Sequence, residues 1–85
     1  MKMRIVWDES KRLINIARHE MDFADLTEAF FETSFVRSAK HGRLIAVGRL
    51  MNGVVAAIFV TLGTEGIGVI SMRPASRKER RLIDG

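Results

Sequence analysis

Residues 43–62 read RLIAVGRLMNGVVAAIFVTL. The pair Asn52-Gly53 is the strongest hairpin signal in the chain, because both residues tolerate positive φ. Before it, residues 43–50 alternate only partly but are rich in Ile, Val and Leu, as a strand should be. After it, residues 54–62 form a nearly continuous apolar run, the pattern of a central strand covered on both faces. Gly63-Thr64-Glu65-Gly66 is a second tight connection, and residues 67–72 read as another strand. Three adjacent antiparallel strands are the simplest arrangement of these segments.

Outward toward the N-terminus the period changes. Residues 3–7 read as a short opening strand. Asp8 is a candidate helix N-cap, followed by an apolar stripe of Leu13, Ile16, Ala17 and Ile14 at helical spacing. This helix is expected to fray near residues 18–21. Asp22 is a second candidate cap, with Phe23, Leu26, Ala29 and Phe30 recurring behind it. Residues 35–39 read as a short strand, and Lys40-His41-Gly42 as a turn. At the other end, Ser76 and Glu79 have the spacing of a capping box, which starts a C-terminal helix. The expected class is α+β: an N-terminal strand and two helices that cover one face, a mainly antiparallel sheet, and a short C-terminal helix.

Composition narrows the function. Eighty-five residues make a single domain, 1–85, burying roughly 60–65% of its unfolded surface. Fourteen Lys and Arg stand against ten acids, a formal net charge of +4. That balance favours an anionic partner, either nucleic acid or an acidic protein segment. The chain has no cysteine, which excludes disulfides, thiolate metal sites and a cysteine nucleophile. No His, Asp and Glu cluster has metal-ligand spacing, and no glycine-rich loop precedes a P-loop lysine, so no metal and no cofactor are expected. The N-terminus lacks the pattern of a signal peptide, and the longest apolar run is too short to span a bilayer. A cytoplasmic location without membrane attachment is the default expectation. The five methionines read as core filler.

The chemistry concentrates in residues 70–81, which join the last strand to five basic residues and one carboxylate: Arg73, Arg77, Lys78, Arg80, Arg81 and Glu79. Arg77 and Lys78 fall in the first helical turn, where cations oppose the helix dipole. That local conflict points to a use other than helix stability.

The wording of this run, Ile70-Ser71-x-Arg73-x-Ala75-Ser76-x-x-Glu79-Arg80, resembles the end of the BrnT-like toxins, the small ribonuclease toxins of one group of type II toxin–antitoxin pairs. The resemblance covers nearly the whole chain. It includes Trp7-Asp8-Glu9-x-Lys11, then Asn15-x-x-Arg18-His19, Phe23, the pair Ala29-Phe30, and Arg43 to Gly48. The chain departs from the pattern at Glu20, where the family usually has glycine. It departs again at Pro74, where lysine is common, and in lacking an aromatic after Glu79-Arg80. The resemblance implies a RelE/ParE-like α+β fold, ribonuclease activity, and neutralisation by a cognate antitoxin encoded by a neighbouring gene.

RNA cleavage without a metal uses the substrate's own 2′-OH. Arg73, Arg77 and Arg80 are then the candidates for binding the phosphate and its transition state, because guanidinium stays charged and offers forked donors. Lys11, Arg43, Lys78 and Arg81 extend the substrate-binding surface. His19 matches the family and belongs to the residue type that titrates near neutrality; Glu79 is the alternative proton carrier. Each also has a plain structural reading, His19 as a helix-end hydrogen-bonding group and Glu79 as the cap. His41 has no family match and reads as surface. Two functions follow. One is an RNA-cleaving toxin that inhibits translation. The other is a non-catalytic basic module that holds an antitoxin and meets operator DNA only as part of that complex.

Overall fold

A computed structural model describes residues 3–51 and 53–84. The elements run β1 (Arg4–Trp7), α1 (Glu9–His19), a 3-10 turn (Phe23–Asp25), α2 (Glu28–Thr33), β2 (Phe35–Ser38), a second 3-10 turn (Lys40–Gly42), β3 (Leu44–Leu50), β4 (Gly53–Leu62), β5 (Gly66–Pro74) and α3 (Arg77–Asp84). The five strands form one sheet in the order β1-β5-β4-β3-β2. The β1–β5 pair is parallel; the other three pairs are antiparallel. The class is α+β, and β4 lies at the centre as its apolar run implies. No helix among the described residues is long and apolar enough to cross a membrane.

Alternation along β4 separates two cores. Val55, Ala57 and Phe59 face a cluster with Phe23, Leu26, Phe30 and Phe31, while Val54 and Ala56 face the opposite side with Val47 and Ala75. A bulge in β5 keeps the first core continuous. Ile58 pairs with Ser71 but Phe59 pairs with Val69, so Ile70 is the extra residue. The insertion resets the parity, and Ile67, Val69 and Met72 all reach the same core. Ile83 of α3 packs against the second core. Together with Ala75, it makes α3 a cover for the far face, where no helix was expected.

Local start signals are largely as expected, with three corrections. Leu50 pairs with Gly53, so Gly53 is the first residue of β4 and not a turn residue, and Met51 adopts φ 55°. The expected hairpin joins β3 to β4, with its register set by packing along the whole ladder; Asn52 itself lies outside the described residues. Asp22 caps the 3-10 turn by accepting from the Ala24 N–H at 2.9 Å, and α2 begins later, capped by Thr27. Finally, the α1 stripe does not enter the core. Leu13 and Ile14 are each 56% exposed, and the buried residue of α1 is Asn15.

The burial of Asn15 has a clear cause. Strand β1 accompanies β5 only as far as the Trp7–Val69 pair, whereas β5 continues to Pro74. Asn15 takes over beyond that point. Its Oδ1 accepts from the Met72 N–H at 3.0 Å and from Ser71 Oγ at 3.2 Å, and its Nδ2 donates to the Met21 carbonyl at 3.0 Å. A buried amide N–H left unpaired would cost roughly 1–3 kcal/mol. Glu20 then closes α1 in the left-handed region, φ 56°, with its N–H bonded to the Ile16 carbonyl at 2.8 Å. The turn that usually takes glycine is therefore retained with a strained glutamate.

Gly48 explains its own place in β3. A Cβ there would lie 3.1 Å from both Phe30 Cε1 and Ser34 Cβ, so only glycine lets α2 approach the sheet this closely. Gly48→Ala is expected to destabilise the fold by about 1–3 kcal/mol through overpacking. A denaturant melt should show it; a midpoint equal to that of the parent would mean that α2 shifts without cost.

Candidate functional site

Glu79 is 2% exposed and receives four N–H donors. Its Oε1 accepts from Arg73 Nη1 at 2.7 Å and from the Ser76 N–H at 2.8 Å. Its Oε2 accepts from Arg73 Nη2 and Arg37 Nη2, both at 3.0 Å. Ser76 Oγ in turn accepts from the Glu79 N–H at 3.1 Å, completing the capping box. The forked bond from Arg73 is the main reason the Glu79 carboxyl sits down at about 2; the Ser76 N–H adds to it, and burial opposes it. The same bonds raise the Arg73 guanidinium above its ordinary value. Glu79 is therefore ionised at neutral pH, and such a carboxylate is a weak proton acceptor.

The sheet explains why these groups meet. Pairing aligns Phe35, Val47, Ala56 and Arg73 in one row across β2 to β5, and Arg37, Ile45, Ile58 and Ser71 in the next row on the same face. Both arginines therefore project on the side of Val47 and Ala56, where α3 carries Glu79 above the sheet. Arg73 is the member of this group that the sequence points to. Arg37 is not, since 42 residues separate it from Glu79 and only strand pairing brings them together.

A second basic group lies beside α1. Lys11, Ile14, Asn15, Arg18, Arg43, Ile70 and Ser71 line a cleft of about 280 Å³. Lys11 and Arg43 meet here as members of the expected substrate surface. Arg18 joins them, and its signal is present in the sequence: Lys11, Ile14, Asn15 and Arg18 are spaced 0, 3, 4 and 7, a single helix face. Ser71 belongs both to this cleft and to the row of Arg37, so the two basic groups are neighbours.

The remaining candidates are more dispersed. Arg77, Lys78, Arg80 and Arg81 are exposed along α3, and neither Arg77 nor Arg80 bonds Glu79. His19 is half-buried in the last turn of α1 and is not among the residues lining the cleft. His41 is exposed in the 3-10 turn before β3, with φ 61°. Among the described residues, no three His, Asp or Glu side chains converge in a way that could hold a metal ion.

The family described as ribonuclease toxin, BrnT, of type II toxin–antitoxin system matches residues 7–79. The crystal structure of the Brucella abortus ribonuclease toxin BrnT is 47% identical and superposes with a TM-score of 0.83 over 89% of this chain and 100% of that one. No curated protein matches. The matched segment begins at Trp7 and ends at Glu79, so it contains both basic groups.

The buried carboxylate sets a pH dependence. Its folded-state value is depressed to about 2 against roughly 4.3 when unfolded. Its contribution is thus present above the unfolded value and is lost as pH falls through the folded one. Stability should decline between about pH 4.5 and 2, by on the order of 2–3 kcal/mol from this group. Asp8 and Asp22, also held low by Ser10 and Arg12 respectively, add to the slope. Glu79→Gln should be less stable at pH 7 and show a shallower acid decline in urea titrations; an unchanged slope would mean that Glu79 is not ionised in the folded protein.

Proposed function

The chain belongs to the BrnT family of ribonuclease toxins of type II toxin–antitoxin systems, and from that membership we propose that it is a metal-independent endoribonuclease that inhibits translation by cutting RNA and is neutralised by a cognate antitoxin. The observation that supports this most is the Arg73 guanidinium. It is gripped by a buried carboxylate, remains 34% exposed, and lies beside the cleft of Lys11, Arg18 and Arg43. A fixed, half-open guanidinium suits a scissile phosphate, whose charge it can stabilise without reorganising.

In the proposed reaction the 2′-oxygen of one nucleotide attacks the adjacent phosphorus and the bond to the 5′-oxygen breaks. The products are a 2′,3′-cyclic phosphate and a free 5′-hydroxyl. One proton leaves the 2′-hydroxyl and one is delivered to the 5′-oxygen. Arg73 takes the charge on phosphorus, with Arg77 and Arg80 approaching from the exposed side of α3. Lys11, Arg43, Lys78 and Arg81 hold the flanking backbone. His19 is the proton carrier, on the helix whose Lys11 and Arg18 line the cleft. Glu79, saturated with donors, orients Arg73 instead of carrying protons. The antitoxin covers this basic face, and operator DNA is met only through that complex.

The test is RNA cleavage in EDTA, read by product ends as well as by rate. Arg73→Ala, Arg77→Ala and Arg80→Ala should each lower the rate at saturating RNA by ~10²–10³ with a native circular dichroism spectrum. His19→Ala should reduce turnover more than binding. Products without cyclic phosphate would overturn the mechanism. A folded chain that binds its antitoxin but cuts nothing would instead identify a non-catalytic binding module.

A further inference from the structure

The pairing at Glu79 is unbalanced: two guanidiniums share one carboxylate. Arg37 and Arg73 both donate through Nη2 to the same oxygen, Oε2, at 3.0 Å. Those two nitrogens can therefore be no farther apart than two such bonds laid end to end. Their backbones are much more distant, because β3 and β4 lie between β2 and β5, a span of roughly 14 Å at ordinary strand spacing. Both side chains thus reach inward over Val47 and Ala56 to the carboxylate on α3. Holding two cations together around one anion leaves one positive charge uncompensated.

That excess sits on the outer side of Arg37. Its side chain is 52% exposed and makes one bond to Glu79. Its Nε and Nη1 donate to no group among the described residues. Arg73, by contrast, commits both terminal nitrogens to Glu79. A guanidinium anchored by one nitrogen, with the rest of its fork directed to solvent, suits a second oxyanion. The surroundings favour a polyanion over a single carboxylate. Ser71, in the same row as Arg37, continues into the cleft of Lys11, Arg18 and Arg43. Half-buried Ile45 and Ile58 separate Arg37 from Ser71 in that row, an apolar strip on which a nucleobase can rest between phosphate contacts.

We infer that Arg37 is a phosphate-binding residue of the RNA site and that Glu79 is the positioning residue that sets Arg37 and Arg73 side by side, so that single-stranded RNA is gripped at a phosphodiester by Arg37 and again by the Lys11–Arg18–Arg43 cleft. This rests on the ribonuclease reading above for the choice of ligand, but it concerns binding and is tested apart from cleavage.

The probe is a fluorescent single-stranded oligoribonucleotide with 2′-O-methyl groups throughout, which removes the nucleophile. Its affinity for the full chain is measured by anisotropy across a salt series. Arg37→Ala should weaken binding about 10-fold and flatten the salt dependence by ~0.7 in log–log slope, one phosphate contact on a single strand. Arg37→Lys keeps the charge and loses the fork, so it should retain the slope with an intermediate affinity; it also carries the test if the alanine variant melts early. Glu79→Gln should weaken binding although it removes a negative charge, a result that simple electrostatics predicts in the opposite direction. Parental affinity and slope in Arg37→Ala and Arg37→Lys would overturn the inference while leaving cleavage by the parent untouched. Loss of antitoxin binding alone would assign Arg37 to the protein partner and equally overturn it. Arg37-dependent binding in a chain that cuts nothing would sustain the inference and reject the ribonuclease reading.

Discussion

A carboxylate buried to 2% exposure would be costly if left unpaired. Glu79 is tolerated because four N–H groups reach it, from β2, from β5 and from the start of α3 itself. Each partner fixes something different. The Ser76 N–H starts the helix at a defined residue. Arg73 ties that helix to the strand it has just left. Arg37 reaches in from the edge strand β2, with β3 and β4 between it and β5. The far end of α3 is tied to β3 by the Arg49–Asp84 ion pair. One buried charge thus settles where α3 lies, and with it which part of the far sheet face is covered and which stays open beside Ile45 and Ile58.

Asn15 performs a related task with a neutral amide. Where β1 ends, β5 still has a backbone N–H to satisfy, and the amide accepts from it while donating to the chain that leaves α1. Turning Asn15 inward aims the opposite face of α1 outward, which is why Leu13 is exposed, while Ile14 flanks Asn15 at the cleft. The face that carries Asn15 also carries Lys11 and Arg18 to the mouth of the cleft. The position of the basic residues is therefore a consequence of satisfying a strand edge. Arg12 reinforces the arrangement, because its fork on Asp22, at 2.7 and 3.0 Å, holds the 3-10 turn against α1.

Part of the candidate site is legible in the amino-acid sequence. Arg73 and Glu79 stand six residues apart, and the capping box at Ser76 places Glu79 at the start of a helix, so local spacing reveals most of that contact. Lys11 and Arg43 are recognisable as basic ground, but their meeting around Ile70 and Ser71 depends on how α1 lies against β5. Arg18 is easily missed despite its helical spacing from Lys11, because it lies in the last turn of α1, which ends at His19 within the stretch expected to fray. Arg37 has no local signal. An arginine in a short exposed strand looks like any solvated residue until the register places it opposite Ile45.

What the sequence by itself determined is the set of local choices: the caps at Asp8 and Ser76, the hairpin between two apolar runs, the central position of residues 54–62, and the α+β class. These depend on backbone preferences and on the alternation of side chains, which act over a few residues. Tertiary structure alone decided the rest: the parallel place of β1, the bulge at Ile70, the inward turn of Asn15, the cover of α3 over the second face, and the convergence of Arg37 and Arg73 on Glu79. Each involves residues distant in the chain, and each follows from a buried polar group that needs partners or an apolar face that needs cover. Neither demand exists until the sheet has assembled.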